Sequence, residues 1–253
     1  MSFYVFIPAR YGSSRFPGKP LIDLAGKTMI QRVYEQAACS NAKQVYVATD
    51  DERIADAVSG FSGQFIMTAS DHATGTDRIH EAAVRAGLGA DDTVVNVQGD
   101  EPLIPAAAIN QVAAAISGDV VMSTLKEELT SRVDVFDPNV VKVVTDDNDT
   151  ARYFSRAPVP WSRDGFPGDN ERLPDGARWF RHLGIYAYTM AMLQRYVSWP
   201  AHPLEQTERL EQLRVLAHGE NIRVELSQVE IPPGIDVPED VNRVLAALEA
   251  KPS

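Results

Sequence analysis

Apolar runs of strand length alternate with amphipathic segments of helix length through residues 3–116, and this alternation narrows the choice of fold more than any other feature of the chain. Residues 3–7 are aromatic and β-branched and run into Pro8; 44–48, 64–68 and 93–97 are the matching strand candidates. Helical spacing follows each of them. Met29, Ile30, Val33, Ala37 and Ala38 share one face, a helix over 52–59 takes Asp51 as N-cap, another runs to about Ala86, and a fourth covers 106–116. Short buried strands joined by helices specify an α/β fold, a Rossmann-like, doubly wound, mostly parallel sheet with helices on both faces.

The pattern then changes. Residues 120–126, 140–145 and 151–155 read as strands, the last two joined by a turn at 146–149. Residues 179–188 and 221–229 are later strand candidates, and 238–250 form a closing helix. Leu204, Leu210, Leu213 and Leu216 are expected on one charged helix ended by Gly219, and the Pro- and Gly-rich segment 158–176 is expected to be a mobile loop. The resulting expectation is one domain over 1–253. Residues 1–118 would hold a nucleotide, 119–230 would form a smaller mixed-strand lobe that closes over the site or makes a dimer surface, and 231–253 would close the chain.

Polar clusters fall directly after the strand candidates, on the edge where open α/β sheets bind ligands. After the first strand come Arg10, Gly12, Ser13, Ser14, Arg15, Gly18 and Lys19, with no acid before Asp23. Such a loop suits a polyphosphate, since glycine admits close backbone approach while cations and N–H groups meet negative charge. It is not a Walker A loop: five residues separate Gly12 from Gly18, and Pro20 follows Lys19. On a chain of net charge −11 a local group of cations is the more telling, and the same charge argues against nucleic acid as partner.

Asp100, in VNVQGDEP, is placed to face Lys19 and hold Mg²⁺ on a nucleoside triphosphate, or to bond its own turn. Asp236 with Glu239 three residues on has the spacing of a capping box. Thr74, Gly75, Thr76, Asp77 and Arg78 open a helix and could cap it or hold a ribose and base. His72 reads equally as a solvated loop residue or a catalytic one. Arg156, His182 and Tyr186 could contact an acidic ligand or be paired structurally, and Glu208 with Glu211 reads as a solvated helix face. Cys39, the single cysteine, excludes an intramolecular disulfide, suits a reducing compartment and is expected as helix core filler. No stretch approaches the roughly 20 apolar residues of a membrane span, so a soluble cytoplasmic protein without membrane partners is expected. Residue chemistry thus arrives at a Mg²⁺- and nucleoside-triphosphate-dependent enzyme.

IPARYGSSRFPGKPL, VATDD, DHATGTDR, VNVQGDEPLI, YFSRAPVPW, RHLGIYAY and PLEQTERLEQLRVL occur in that order. As a set they closely resemble the 3-deoxy-manno-octulosonate (Kdo) cytidylyltransferase family over nearly the whole chain. The resemblance implies a nucleotidyltransferase fold and reaction: the anomeric hydroxyl of Kdo attacks the α-phosphorus of CTP, giving CMP-Kdo and pyrophosphate for lipopolysaccharide assembly. It also implies Mg²⁺, a cytoplasmic homodimer, and a sugar-binding and dimerising role for the 119–230 lobe. Position by position it implies Arg10, Ser13, Arg15 and Lys19 at the triphosphate, and Thr49, Asp50, Ser70, Gly75, Thr76 and Arg78 around cytosine and ribose. Gln98, Arg156, His182, Tyr186 and Glu211 fall on the Kdo side. Asp100 and Asp236 become the magnesium carboxylates, against the cap that spacing favours for Asp236, and Arg10, Lys19, Asp100 and Asp236 form the catalytic set. Gly12 and Ser14 stand where Ala and Thr are more usual, and 163–176 match less well. A cytidylyltransferase for sialic acid or 8-amino-Kdo is the alternative, with the same nucleotide side.

Overall fold

The computed structural model describes residues 2–12, 16–167 and 172–249. Its first half follows the expected alternation: β1 (Phe3–Ala9), α1 (Met29–Ala38), β2 (Gln44–Thr49), α2 (Glu52–Gly60), β3 (Phe65–Met67), α3 (Gly75–Arg85), β4 (Thr93–Asn96) and α4 (Ala106–Ala114). Three of these helices begin at side chains suited to capping. Thr28 accepts from the Gln31 N–H, Asp51 from the Arg53 N–H, and Thr74 forms a reciprocal capping box with Asp77. β1 continues through Pro8 to Ala9. Phe6 turns its carbonyl toward β4 and accepts from the Val97 N–H, so Pro8, two residues on, faces the same way. There β4 has already ended at Asn96, and the missing N–H of Pro8 removes no ladder bond.

The second half comprises β5 (Met122–Leu129), α5 (Arg132–Phe136), β6 (Lys142–Thr145), β7 (Ala151–Ser155), β8 (Trp179–Thr189), α6 (Met190–Ser198), α7 (Pro203–Glu208), α8 (Gln212–Ala217), β9 (Arg223–Leu226) and α9 (Asp240–Glu249). Among the described residues all strands belong to one nine-stranded sheet, ordered β3-β2-β1-β4-β8-β5-β9. The β1–β2, β1–β4, β2–β3 and β5–β9 pairs are parallel, whereas β8 runs antiparallel to both β4 and β5. The later strands therefore extend the first sheet, and only the β6–β7 hairpin lies off its main path.

Side-chain alternation on β1 divides the core between the two faces. Phe3, Val5 and Ile7 pack with Ile30 and Val33 of α1, Ile54 of α2 and Ile109 of α4. Phe6 packs on the other face with Ile79 of α3, Leu193 of α6 and Leu213 of α8. A smaller cluster joins the chain's two ends through Leu24, Met29, Leu103, Ile235 and Val244.

Several expectations change. The leucine-bearing segment is two short helices, α7 and α8, because Arg209 adopts a left-handed conformation (φ 55°, ψ 47°) that no helix can continue through. α6, for which the sequence carried no expectation, follows β8 directly and is capped by Thr189, whose hydroxyl accepts the Met192 N–H. Cys39 is exposed at the C-cap of α1, beyond that helix's buried face. The described part of 158–176 is anchored where a mobile loop was expected: Phe166 is buried, the Trp179 indole donates to the Pro160 carbonyl at 2.8 Å, and Arg132 donates to the Phe166 carbonyl at 3.0 Å.

Candidate active site

The carboxyl ends of β1 and β4 open onto a cavity of about 300 Å³ lined by Arg10, Lys19, Arg78, Asp100 and the stretch from His72 to Gly75. Lys19 begins a single 3₁₀ turn whose N-cap, Gly18, has φ +73° and donates its N–H to the Tyr11 carbonyl at 2.9 Å, closing the basic loop. The Lys19 ammonium donates to Asp100 Oδ2 at 2.7 Å and to the Ile235 carbonyl at 2.8 Å, and the Ile235 N–H donates to the Asp100 carbonyl at 2.8 Å. One lysine thus ties together the first loop, the turn after β4 and the final segment. That turn and that segment approach so closely that a Cβ on Gly234 would lie 2.7 Å from the Asp100 oxygen. Ser13 and Arg15 lie outside the described residues.

Asp236, next to Ile235, does not cap a helix with Glu239. The first turn belongs to Asp240, whose carboxylate accepts the Asp236 N–H at 2.9 Å and the Val237 N–H at 3.1 Å. Neighbouring Glu101 registers the local charge: burial first, then Asp100 and, more weakly, Asp236 push its carboxyl up to about 8, against the opposing pull of Arg181. Its buried Oε2 has no hydrogen-bond partner. Hard oxygen donors gathered beside an unsatisfied carboxyl oxygen fit Mg²⁺, which takes one or two carboxylates and completes its shell with water and substrate phosphate. Among the described residues no group of three or more side chains forms a closed metal cage.

The remaining nucleotide-side expectations divide. Gly75 and Arg78 line the cavity, and the buried Arg78 guanidinium donates to Thr68 Oγ1 at 2.5 Å and pairs with Asp50 at 3.2 Å. Asp50 therefore backs the wall through Arg78. Thr49 is buried beneath it and accepts the Asp51 N–H, while Ser70 is exposed; neither is part of the wall. His72 does reach the wall, with its ring bonded to Glu81.

A second cavity of about 270 Å³ shares Gly75, Gln98 and Glu211 with the first. His182 and Tyr186 of β8 line it, as expected. Burial lowers the His182 imidazole to about 3, leaving it neutral, and raises the Tyr186 phenol well above its ordinary value. The Glu211 carboxylate accepts from Thr76 Oγ1 at 2.8 Å and from the Tyr196 hydroxyl at 3.4 Å. Desolvation of that carboxylate raises its pKa, while the residue as a whole remains exposed at the cavity mouth. Thr76 accordingly lines the second cavity.

Arg156 is not brought into either cavity. Its guanidinium donates to the Glu208 carbonyl at 2.7 Å and the Pro138 carbonyl at 2.9 Å, while the Glu208 carboxylate accepts the Arg156 N–H at 2.9 Å and Ser155 Oγ at 2.7 Å. Arg156 and Glu208 brace the α7–α8 junction. The arginine lining the second cavity is Arg209, at the left-handed break itself. Asn96, Tyr188, Tyr196 and Gln212 also line it, and Gln212 Nε2 is buried without a partner. Sequence reasoning missed Tyr196, Arg209 and Gln212 because the α6 helix and the break at Arg209 were missed, and Asn96 and Tyr188 because they meet only through the distant β4–β8 pairing; for the first group the polar residues clustered in 208–212 were the available signal.

Known proteins resemble this chain in sequence and in fold. Residues 4–222 match the family model described as Cytidylyltransferase. A 3-deoxy-manno-octulosonate cytidylyltransferase of Alcanivorax borkumensis is 53% identical over 250 residues, covering 98% of this chain and 99% of the relative. One of the same description from Vibrio vulnificus is 51% identical over 252 residues, covering 99% and 100%. The solved structure of a CMP:2-keto-3-deoxy-manno-octonic acid synthetase complexed with CTP superposes with a TM-score of 0.88 at 41% identity, covering 98% of each chain. With such identity sustained from end to end and the architecture held in common, the chain belongs to the 3-deoxy-manno-octulosonate cytidylyltransferase family.

Proposed function

We propose that this protein transfers CMP from CTP to the anomeric hydroxyl of Kdo, releasing pyrophosphate and activating the sugar for lipopolysaccharide biosynthesis. The observation that carries the reading is the pair of cavities sharing a wall at Gly75, Gln98 and Glu211, one with cations at its strand-end loops and one lined by hydroxyl, amide and imidazole groups together with Arg209 and Glu211. A triphosphate suits the first and a polyhydroxylated sugar acid the second. They meet where a sugar oxygen must reach an α-phosphorus.

The sugar hydroxyl oxygen forms the new bond to the α-phosphorus, the bond from that phosphorus to the bridging oxygen breaks, pyrophosphate departs with the electron pair, and the hydroxyl proton passes to solvent. Lys19 and Arg10 offset the charge on the triphosphate and on the leaving group, with Ser13 and Arg15 assigned to the same loop. Rate enhancement arises from positioning and charge neutralisation without a covalent enzyme intermediate. Asp100 and Asp236 are the residues that would hold Mg²⁺, which when bound supplies charge neutralisation at the phosphates. Gly75 and Arg78 serve the nucleoside, with Thr49, Asp50 and Ser70 supporting that side from outside the wall and Thr76 turned to the second cavity beside Glu211. Gln98, His182, Tyr186 and Glu211 hold the sugar, Arg209 supplies the cation for its carboxylate, and Arg156 supports Arg209 from behind.

In this reading 1–118 serve the nucleotide, 119–230 the sugar and a homodimer contact, and 231–253 bring in the second carboxylate. Val133, Phe136 and Trp161, 77%, 38% and 58% exposed, support an apolar contact between two copies. No helix among the described residues is long and apolar enough to cross a membrane, and a cytoplasmic location accords with the use of CTP. The test is pyrophosphate release with Mg²⁺ and CTP, alone or with Kdo, 8-amino-Kdo or sialic acid. Release requiring CTP and Kdo together is expected. Release only with another acidic sugar replaces Kdo, and silence across the panel with CTP bound overturns the transferase reading.

A further inference from the structure

α3 grips the loop that precedes it along one face. Arg78, Glu81 and Arg85, spaced i, i+3 and i+7, all reach back to the chain leaving β3. Arg78 donates to Thr68 Oγ1, and Arg85 donates to the Met67 carbonyl at 2.6 Å. Glu81 Oε2 accepts both the Ala69 N–H, at 2.8 Å, and the His72 ring Nε2, and Oε1 pairs with Arg85. At the loop's far end Thr74 is fixed by its capping box with Asp77. His72, Ala73, Thr74 and Gly75 then form a continuous part of the nucleotide cavity wall. Glu81 itself does not line the cavity, and its side chain is only 20% exposed. Burial would raise its carboxyl, yet the bonds from His72, the Ala69 N–H and Arg85 hold it below the ordinary range, as expected of an anion that accepts at both oxygens.

We infer that Glu81 is a positioning residue for the nucleotide: by holding Ala69 and His72 it fixes the 69–74 loop, and with it the wall formed by His72, Ala73 and Thr74, before CTP arrives. A wall that must be ordered on binding lowers affinity by the free energy of ordering, whereas a pre-formed one does not. The effect belongs to CTP alone, because His72, Ala73 and Thr74 line the first cavity and not the second.

This inference rests on the proposed use of CTP, and its test separates the two. CTP titrated into wild type and into Glu81→Ala, without sugar, reads Glu81; turnover of wild type with Kdo reads the transferase assignment. Glu81→Ala is expected to weaken CTP binding about tenfold, close to 1.4 kcal/mol. Glu81→Gln, which still accepts from Ala69 but carries no charge for Arg85, should fall between the two. At saturating CTP, kcat and the KM for Kdo should stay within about twofold, a split that a merely structural role would not produce. CTP affinity unchanged in both variants at native Tm overturns the inference, as does a KM for Kdo rising in step with that for CTP. If the alanine variant does not fold, the Gln variant decides by the same criteria.

Discussion

The two cavities differ in how they handle charge. The cavity proposed for the nucleotide is assembled from loop residues at the ends of parallel strands and sets ion pairs against one another: Lys19 with Asp100, Arg78 with Asp50. The cavity proposed for the sugar is built from β8 and the α7–α8 junction, where burial holds the His182 imidazole neutral and pushes the Tyr186 phenol up, with Arg209 and Glu211 as its charged lining residues. A triphosphate has to be met by charge at once, and strand-end loops offer cations and free backbone donors for that purpose. A sugar presents many weak hydroxyls, best distinguished by fixed neutral donors and acceptors whose unpaired partners would penalise the wrong ligand.

If charge dominates on the first side, Lys19→Ala should have the largest effect, lowering turnover by roughly 10²–10³ with the fold intact. A loss smaller than tenfold would break the distinction. Next, Asp100→Asn should move the midpoint of the magnesium titration upward by about tenfold; an unchanged titration removes Asp100 from the metal site. On the other side, Arg209→Ala should raise the KM for Kdo by roughly 10- to 100-fold, as expected from about 1.5–3 kcal/mol for a hydrogen bond to a charged group. An equal rise in the KM for CTP would show that the cavities are not independent.

The smallest effect concerns pH. The unfolded chain protonates an imidazole near 6.5, whereas burial holds folded His182 neutral down to about 3. Its contribution to stability is therefore complete above 6.5 and lost progressively as pH falls toward 3. Wild type should lose more Tm than His182→Gln between about pH 7 and pH 5. Parallel Tm profiles would mean that His182 takes up a proton without penalty.

The same contrast explains what could be read in advance. Thr74 with Asp77, Asp51 before its helix, and an acid-free run of cations after an apolar strand are local signals, because capping and anion binding act over a few residues. The partner of β8 is not local: Asn96 meets Tyr186 across 90 positions of sequence. Arg209 was illegible for another reason. Leucine spacing argues for one continuous helix, and only the Arg156–Glu208 bracing, formed by tertiary contact, holds a left-handed arginine in its midst. For Asp236 the local signal was misleading, since α9 begins only at Asp240, whose carboxylate accepts the Asp236 N–H.

The closure made by Lys19 on Ile235 has a consequence for the order of folding. The lysine and its carbonyl partner are separated by 216 residues. Long-range closures form late in folding because the intervening chain must be ordered first. A chain truncated before Ile235 would carry its basic loop and Asp100 turn without the strap that joins them. The proposed triphosphate site would therefore be among the last parts of the molecule to take shape.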